Sequence, residues 1–201
     1  MALSMQKELV RHGITVGMSR TKDENDPLAE EIAEANAFKP DLAVEVHNNA
    51  GGGDGFEVYH QTNSHQAKSK ALAKAIEKQV IAIGQNSRGC KTRLAGSVDY
   101  FGWLRQVKSP AVLCEGAFLD NKTDVQIIDT VPEQEAFGVA YAKGILDVLG
   151  IPYVPEKTAV TKLYGVVGQK IALSSKENAE KYAKELNAAE KDGWYWKVIE
   201  I

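Results

Sequence analysis

Residues 42 to 60 read LAVEVHNNAGGGDGFEVYH. An alternation of apolar and polar side chains carries a strand up to His47, and a second aliphatic and aromatic run, GFEVYH, follows from Gly55 to His60. Between them lie Asn48, Asn49 and the glycines 51 to 53, which let the backbone turn sharply. In an open sheet covered by helices, ligands sit outside the carboxyl ends of strands, where loops present polar groups without breaking the core. His47 occupies such an end. By residue type alone, an imidazole that merely hydrogen-bonds a neighbouring backbone group fits the position as well, and is the commoner outcome.

A second strand sharpens the picture. PAVLCEGAF, from Pro110 to Phe118, is a near-continuous apolar run of the kind covered on both faces. It sets Glu115 after five uncharged residues and directly before Gly116. Carboxylates are seldom buried without a partner, and one held in an apolar setting beside a cation or a metal-bound water is suited to general acid and base work. Pairing with Arg105, or with loop amides, accounts equally well for the residue type.

Strand and helix signals alternate outward from these two runs. Leu3, Met5 and Leu9 mark a helix over residues 2 to 11, stopped by Gly13 ahead of ITVGM, which reads as a strand. DPLAEEIAEANAF offers Asp26 as an N-cap and Pro27 as the first helical residue. Ser64 opens a helix reaching about residue 84, and PEQEAFGVAYAKGILDVLG repeats apolar residues at helical spacing until Gly150. The alternation implies an α/β fold, a three-layer, mostly parallel twisted sheet with helices on both faces. IPYVPEKTAVT, with two prolines in four residues, reads as a linker over 151–161 between a main domain of residues 1–150 and a small strand-helix-strand unit over 162–201.

Composition narrows the classes. The chain has 201 residues and a net charge of -3, which supplies no basic field for a nucleic acid backbone. No apolar run is long enough to span a bilayer, and MALSMQKELVRHG lacks the order of a signal peptide. Two cysteines, Cys90 and Cys114, make no disulfide framework, and Cys114 reads as a buried free thiol.

The order of ANAFKPDL leading into His-Asn-Asn-Ala, then Gly-Phe-Glu-Val-Tyr, the RGCK segment at 88 to 91, and Ser-Pro-Ala-Val-Leu-Cys-Glu-Gly-Ala-Phe-Leu-Asp-Asn resembles the zinc-dependent N-acetylmuramoyl-L-alanine amidases, which include bacterial autolysins and phage endolysins. The resemblance covers residues 1 to about 150. It implies a Zn2+ cofactor with His47 as a ligand, Glu115 as the catalytic carboxylate, and peptidoglycan as partner and substrate, cleaved between N-acetylmuramic acid and L-alanine. It also implies an extracellular or cell-wall location. Glu45 stands where many members carry a small residue, with its role left open. The other two zinc ligands of such proteins, a His and a Glu, come from a Gly-rich first strand and the start of the first helix. This sequence begins within that helix, so it reads as an N-terminally truncated member with those two ligands expected upstream of Met1. His12, His60 and His65 show no spacing that converges on His47 and read as ordinary polar positions.

The tail, with LYGVVG, SKENAEKYAKEL and a closing strand, is similar to half of a SPOR repeat, a peptidoglycan-binding module. Trp194 and Trp196 there suit either a glycan platform or plain packing. Three readings follow: a cell-wall amidase, a wall-binding chain without catalysis, and an α/β interaction domain whose His47 and Glu115 are satisfied groups at the core edge.

Overall fold

The computed structural model describes residues 1–156, 164–167, 171–173, 180–181, 184 and 197–200. The chain divides into two compact units, Met1–Val154 and Pro155–Ile201.

The first unit opens with α1 (Ala2–Arg11), whose Met5 and Leu9 turn inward. Glu8 is buried on the same helix and is held by Arg11, one turn on, at 2.6 Å. Then come α2 (Leu28–Phe38), β1 (Ala43–Asn49), β2 (Phe56–His60), α3 (Gln66–Ala82), β3 (Ser87–Lys91), a short hairpin of β4 (Leu94–Ala95) and β5 (Val98–Asp99), α4 (Gly102–Gln106), β6 (Ala111–Phe118), α5 (Lys122–Val125) and α6 (Val131–Leu149). A capping box between Thr130 and Glu133 starts α6, and Gly150, at φ 71°, ends it in the left-handed conformation.

The main sheet has the order β1-β6-β2-β3. β1 runs parallel to β6 and β2 parallel to β3, while β2 is antiparallel to β6. The sheet is therefore mixed. The glycine turn sends β2 back against the direction of β1, and β6, arriving later, fills the slot between them. One face buries Val58, Val112 and Cys114 against α1, α3 and α6. The other buries Ala43, Ala111 and Leu113 against Ile32 of α2 and Trp103 and Leu104 of α4. The three layers expected from the alternation are thus present, but α2 and α4 cover only part of the second face.

Three local expectations differ from the structure. ITVGM forms no strand: Ile14 and Val16 pack against the core, and no described strand lies beside them to complete a ladder. Pro27, rather than Asp26, is the N-cap of α2, which begins at Leu28 without a side-chain cap. In the second unit β7 (Tyr164–Val167) pairs antiparallel with both β9 (Lys197–Glu200) and an unforeseen β8 (Ile171–Leu173), in the order β8-β7-β9. Of the helix expected there, Glu180, Lys181 and Lys184 are helical, and the rest, with Trp194 and Trp196, lies outside the described residues. No helix among the described residues is long and apolar enough to cross a membrane.

Candidate functional site

Side chains two residues apart on a strand share a face. On the half-covered face of the sheet, Ala43, Glu45 and His47 of β1 lie beside Ala111, Leu113 and Glu115 of β6, and Glu57 and Tyr59 of β2 complete the rows. The apolar members of these rows pack against α2 and α4, and the polar members share the same face. His47 and Glu115 are direct register partners across β1 and β6, and Glu115 is in turn the partner of Glu57. The sheet so brings together the two residues singled out from sequence, on one face and at one end.

They line a cleft of about 460 Å³, with Glu31, Glu45, Arg20 and Trp103 among its walls. His47 Nε2 lies 3.3 Å from Glu45 Oε1; the imidazole is 51% exposed and the Glu45 side chain 11%. The hydrogen bond to Glu45 raises the pKa of His47, burial opposes it, and the charges of Glu45, Glu115 and Glu31 add to the rise. Burial likewise pushes the Glu115 carboxyl up; His47 pulls it down, and Glu57 and Glu45 push it further up. One oxygen of Glu115 and one of Glu45 are buried without a hydrogen-bond partner among the described residues. Arg105 does not satisfy Glu115: its guanidinium donates to the carbonyls of Asp99 and Tyr100. The pairing of Glu115 with Arg105 that the sequence left open is thus not formed.

The glycine loop has a different job from the one its composition implies. Asp120, just past β6, accepts hydrogen bonds from the amides of Gly51 and Gly52, and the buried Asp124 accepts from those of Gly55 and Phe118. Asn121 donates to the carbonyl of Gly53, where a Cβ would run into the Phe118 ring. The loop is clasped by the segment following β6. The turn therefore fixes the ends of β1 and β6 relative to each other, and with them His47 and Glu115.

The remaining histidines serve elsewhere. His12 accepts from the amide of Val154, contacts the Glu8 carbonyl and stacks on Tyr153. His60 is buried against the Gln61 carbonyl, and His65 precedes α3 as its N-cap. Cys114 is a buried free thiol and Cys90 a half-buried one, bonded to Glu77.

Glu57 escaped the sequence reading. Only 4% exposed, it accepts from Arg88 Nε and Lys91 Nζ on Oε1 and from Tyr59 and Asn49 on Oε2. Burial pushes its carboxyl up, but the bonds from Lys91, Arg88 and Tyr59 outweigh that and hold it below the ordinary value. The signal in the sequence was its period-two position between Phe56 and Val58, both fully buried.

A catalytic zinc takes three protein ligands and a water. The cleft has suitable donor chemistry in the His47 imidazole and in unpartnered carboxylate oxygens. Even so, no group of three His, Cys, Asp or Glu among the described residues is arranged to hold a metal ion. The described residues do not complete a zinc site.

A family model described as N-acetylmuramoyl-L-alanine amidase matches residues 1–147. The endolysin of Bacillus phage SPP1 is 33% identical over 147 residues, covering 70% of this chain and 52% of its own. The N-acetylmuramoyl-L-alanine amidase CwlM of Bacillus licheniformis is 29% identical over 189 residues, 93% of this chain and 70% of its own. Among solved structures, Cwp6 from Clostridium difficile superposes with a TM-score of 0.71 at 34% identity, over 74% of this chain and 24% of its own. The chain thus spans about half of the phage endolysin and about a quarter of Cwp6.

Proposed function

The chain belongs to the N-acetylmuramoyl-L-alanine amidase family, and from that premise we propose that it hydrolyses the amide bond between N-acetylmuramic acid and the L-alanine of the peptidoglycan stem peptide. The observation that carries this reading is the cross-strand pair of His47 and Glu115 at the open end of one sheet face, with a carboxylate oxygen of Glu115 buried and unpartnered.

The chemistry follows from what the groups can do. A carboxyl whose pKa has been raised toward the working pH takes up and gives back a proton readily. Glu115 takes a proton from a water as its oxygen attacks the lactyl carbonyl carbon. The carbon-nitrogen bond then breaks, and the same proton passes to the departing L-alanine nitrogen, leaving a carboxylate on the muramic acid and a free amine on the peptide. The mouth of the cleft is open to the protein surface at His47, which gives a bulky glycan and peptide room to approach.

His47 is the residue that offers an imidazole to a zinc ion, in keeping with the resemblance in its motif. With the ligand set incomplete among the described residues, the reaction is assigned to the groups above. A second reading, in which the chain holds the wall without cutting it, rests on the likeness of its tail to half of a SPOR repeat.

Dye-labelled peptidoglycan sacculi with zinc supplied discriminate the two. The amidase reading predicts soluble dye from the parent chain and none from Glu115→Gln. Co-sedimentation of both forms with the wall, with no dye released by either, supports the second reading and removes the first.

A further inference from the structure

The RGCK segment at residues 88 to 91 is not used by the chemistry above, yet it reaches the same row of side chains. β3 pairs Ser87 with Phe56 and Cys90 with Val58, so Arg88 and Gly89 together stand opposite the single residue Glu57. That is a β-bulge, and Gly89, at φ 94°, supplies the backbone conformation it needs. Bulges re-aim side chains, and this one turns Arg88 onto the face that Lys91 already occupies as the partner of Tyr59. The row then runs from the His47 imidazole through Glu115 and Glu57 to two cations.

Two positive charges meet one carboxylate there. Both donate to the same oxygen of Glu57, and the cluster keeps one positive charge in excess. Arg88 spends only Nε on this bond; its two terminal nitrogens have no hydrogen-bond partner among the described residues, and its guanidinium lies 5.4 Å from the Phe118 ring centroid. The Arg88 and Lys91 side chains remain 43% and 30% exposed. Glu57 and the ring thus hold the guanidinium still while its forked end faces outward, the arrangement that suits a carboxylate. Neighbouring strands are about 4.8 Å apart, so the cations stand roughly 5–10 Å from Glu115, the reach of two or three extended residues.

We propose that Arg88 and Lys91 form a specificity subsite for a carboxylate carried by the stem peptide on its second or third residue, counted from the scissile amide. This rests on the amidase reading for the position of the bond, but not for the binding itself. Glu57 is its positioning residue: it holds the two cations in place and does not touch the peptide.

Calorimetric titration of the full chain with short stem peptides tests this without requiring turnover. The probes, N-acetylated and with the terminal α-carboxyl amidated, are L-alanyl-D-isoglutamate and its isoglutamine amide, each extended by diaminopimelate or by lysine. At least one form carrying a free carboxylate on its second or third residue should bind roughly tenfold tighter than the counterpart lacking that carboxylate, the scale of a charge-assisted hydrogen bond. Arg88→Gln should reduce that ratio to within about twofold, whereas Arg88→Lys, keeping the charge but not the fork, should retain part of it. If Arg88→Gln does not fold, the salt dependence of the parent decides: added salt should weaken the carboxylate form more than the amide form and so shrink the ratio between them. Equal binding by the parent of peptides with and without the extra carboxylate, or an undiminished preference in folded Arg88→Gln, overturns the subsite. Wall hydrolysis without such a preference would do so while leaving the amidase reading intact. A preference that Arg88→Gln abolishes, with no hydrolysis of any substrate, would uphold the subsite and overturn the amidase reading.

Discussion

Glu57 shows how a single residue can be placed by the sequence yet escape notice. Its alternation with Phe56 and Val58 marks a strand face, but only the fold brings Arg88 and Lys91 from a later strand to meet it. His47 and Glu115 were legible because each ends an apolar run. Their facing each other across neighbouring strand tips was legible too, and it holds because β6 is inserted directly beside β1. The partners of Glu57 make a measurable prediction. Its carboxyl is held below the ordinary value of 4.5, so its contribution to stability is complete above that pH and is lost as the pH falls through the lower, folded value. Removing one partner of a buried charged network leaves the others unmet, so Glu57→Gln should cost about 2–3 kcal/mol at neutral pH. In thermal melts, the gap between the parent and Glu57→Gln should be constant above about pH 5 and narrow in more acid solution. A gap that widens on acidification would contradict the network.

The elements were mostly written in the chain. The helix over residues 2 to 11 and the stop at Gly150 match the structure, because amphipathic spacing and a left-handed glycine are local signals. ITVGM was misleading because β-branched residues signal only a readiness to pair, and pairing needs a neighbour. What sequence spacing does not show is how closely helices approach. Gly144 of α6 faces α3, where a Cβ would lie 2.6 Å from the Ile76 Cα and 2.7 Å from its nitrogen. A backbone obstacle cannot swing aside as a side chain can. Gly144→Ala would gain about 1 kcal/mol of helix propensity but force α6 off α3, at about 3 kcal/mol of overpacking. The net loss of about 2 kcal/mol corresponds to a fall in Tm of roughly 4–8 °C for a domain of this size. A calorimetric scan showing a higher Tm would mean that the two helices are not packed this closely.

At the scale of the whole molecule, one architectural choice makes the site. Three helices, α1, α3 and α6, pack on one face of the sheet, while α2 and α4 pack on part of the other, leaving His47 and Glu115 lining an open cleft. Alternating strands and helices revealed the layers, but not the antiparallel entry of β2, which depends on the clasp of Asp120 and Asp124 on the glycine turn. The division at Val154 and Pro155 carries its own prediction. Residues 1–154, expressed alone, contain both buried clusters of the sheet and should unfold cooperatively; a non-cooperative melt would show that the first unit needs the second. If Glu115 serves the cleavage of the muramoyl-alanine amide that we propose, the chemical identity of the newly made ends reveals it. Purified peptidoglycan treated with the chain and zinc should gain free amino groups that end-group labelling identifies as L-alanine, with no new reducing sugars and no gain when Glu115→Gln is used. New reducing sugars, free amino groups on any other residue, or L-alanine termini undiminished in Glu115→Gln would contradict it.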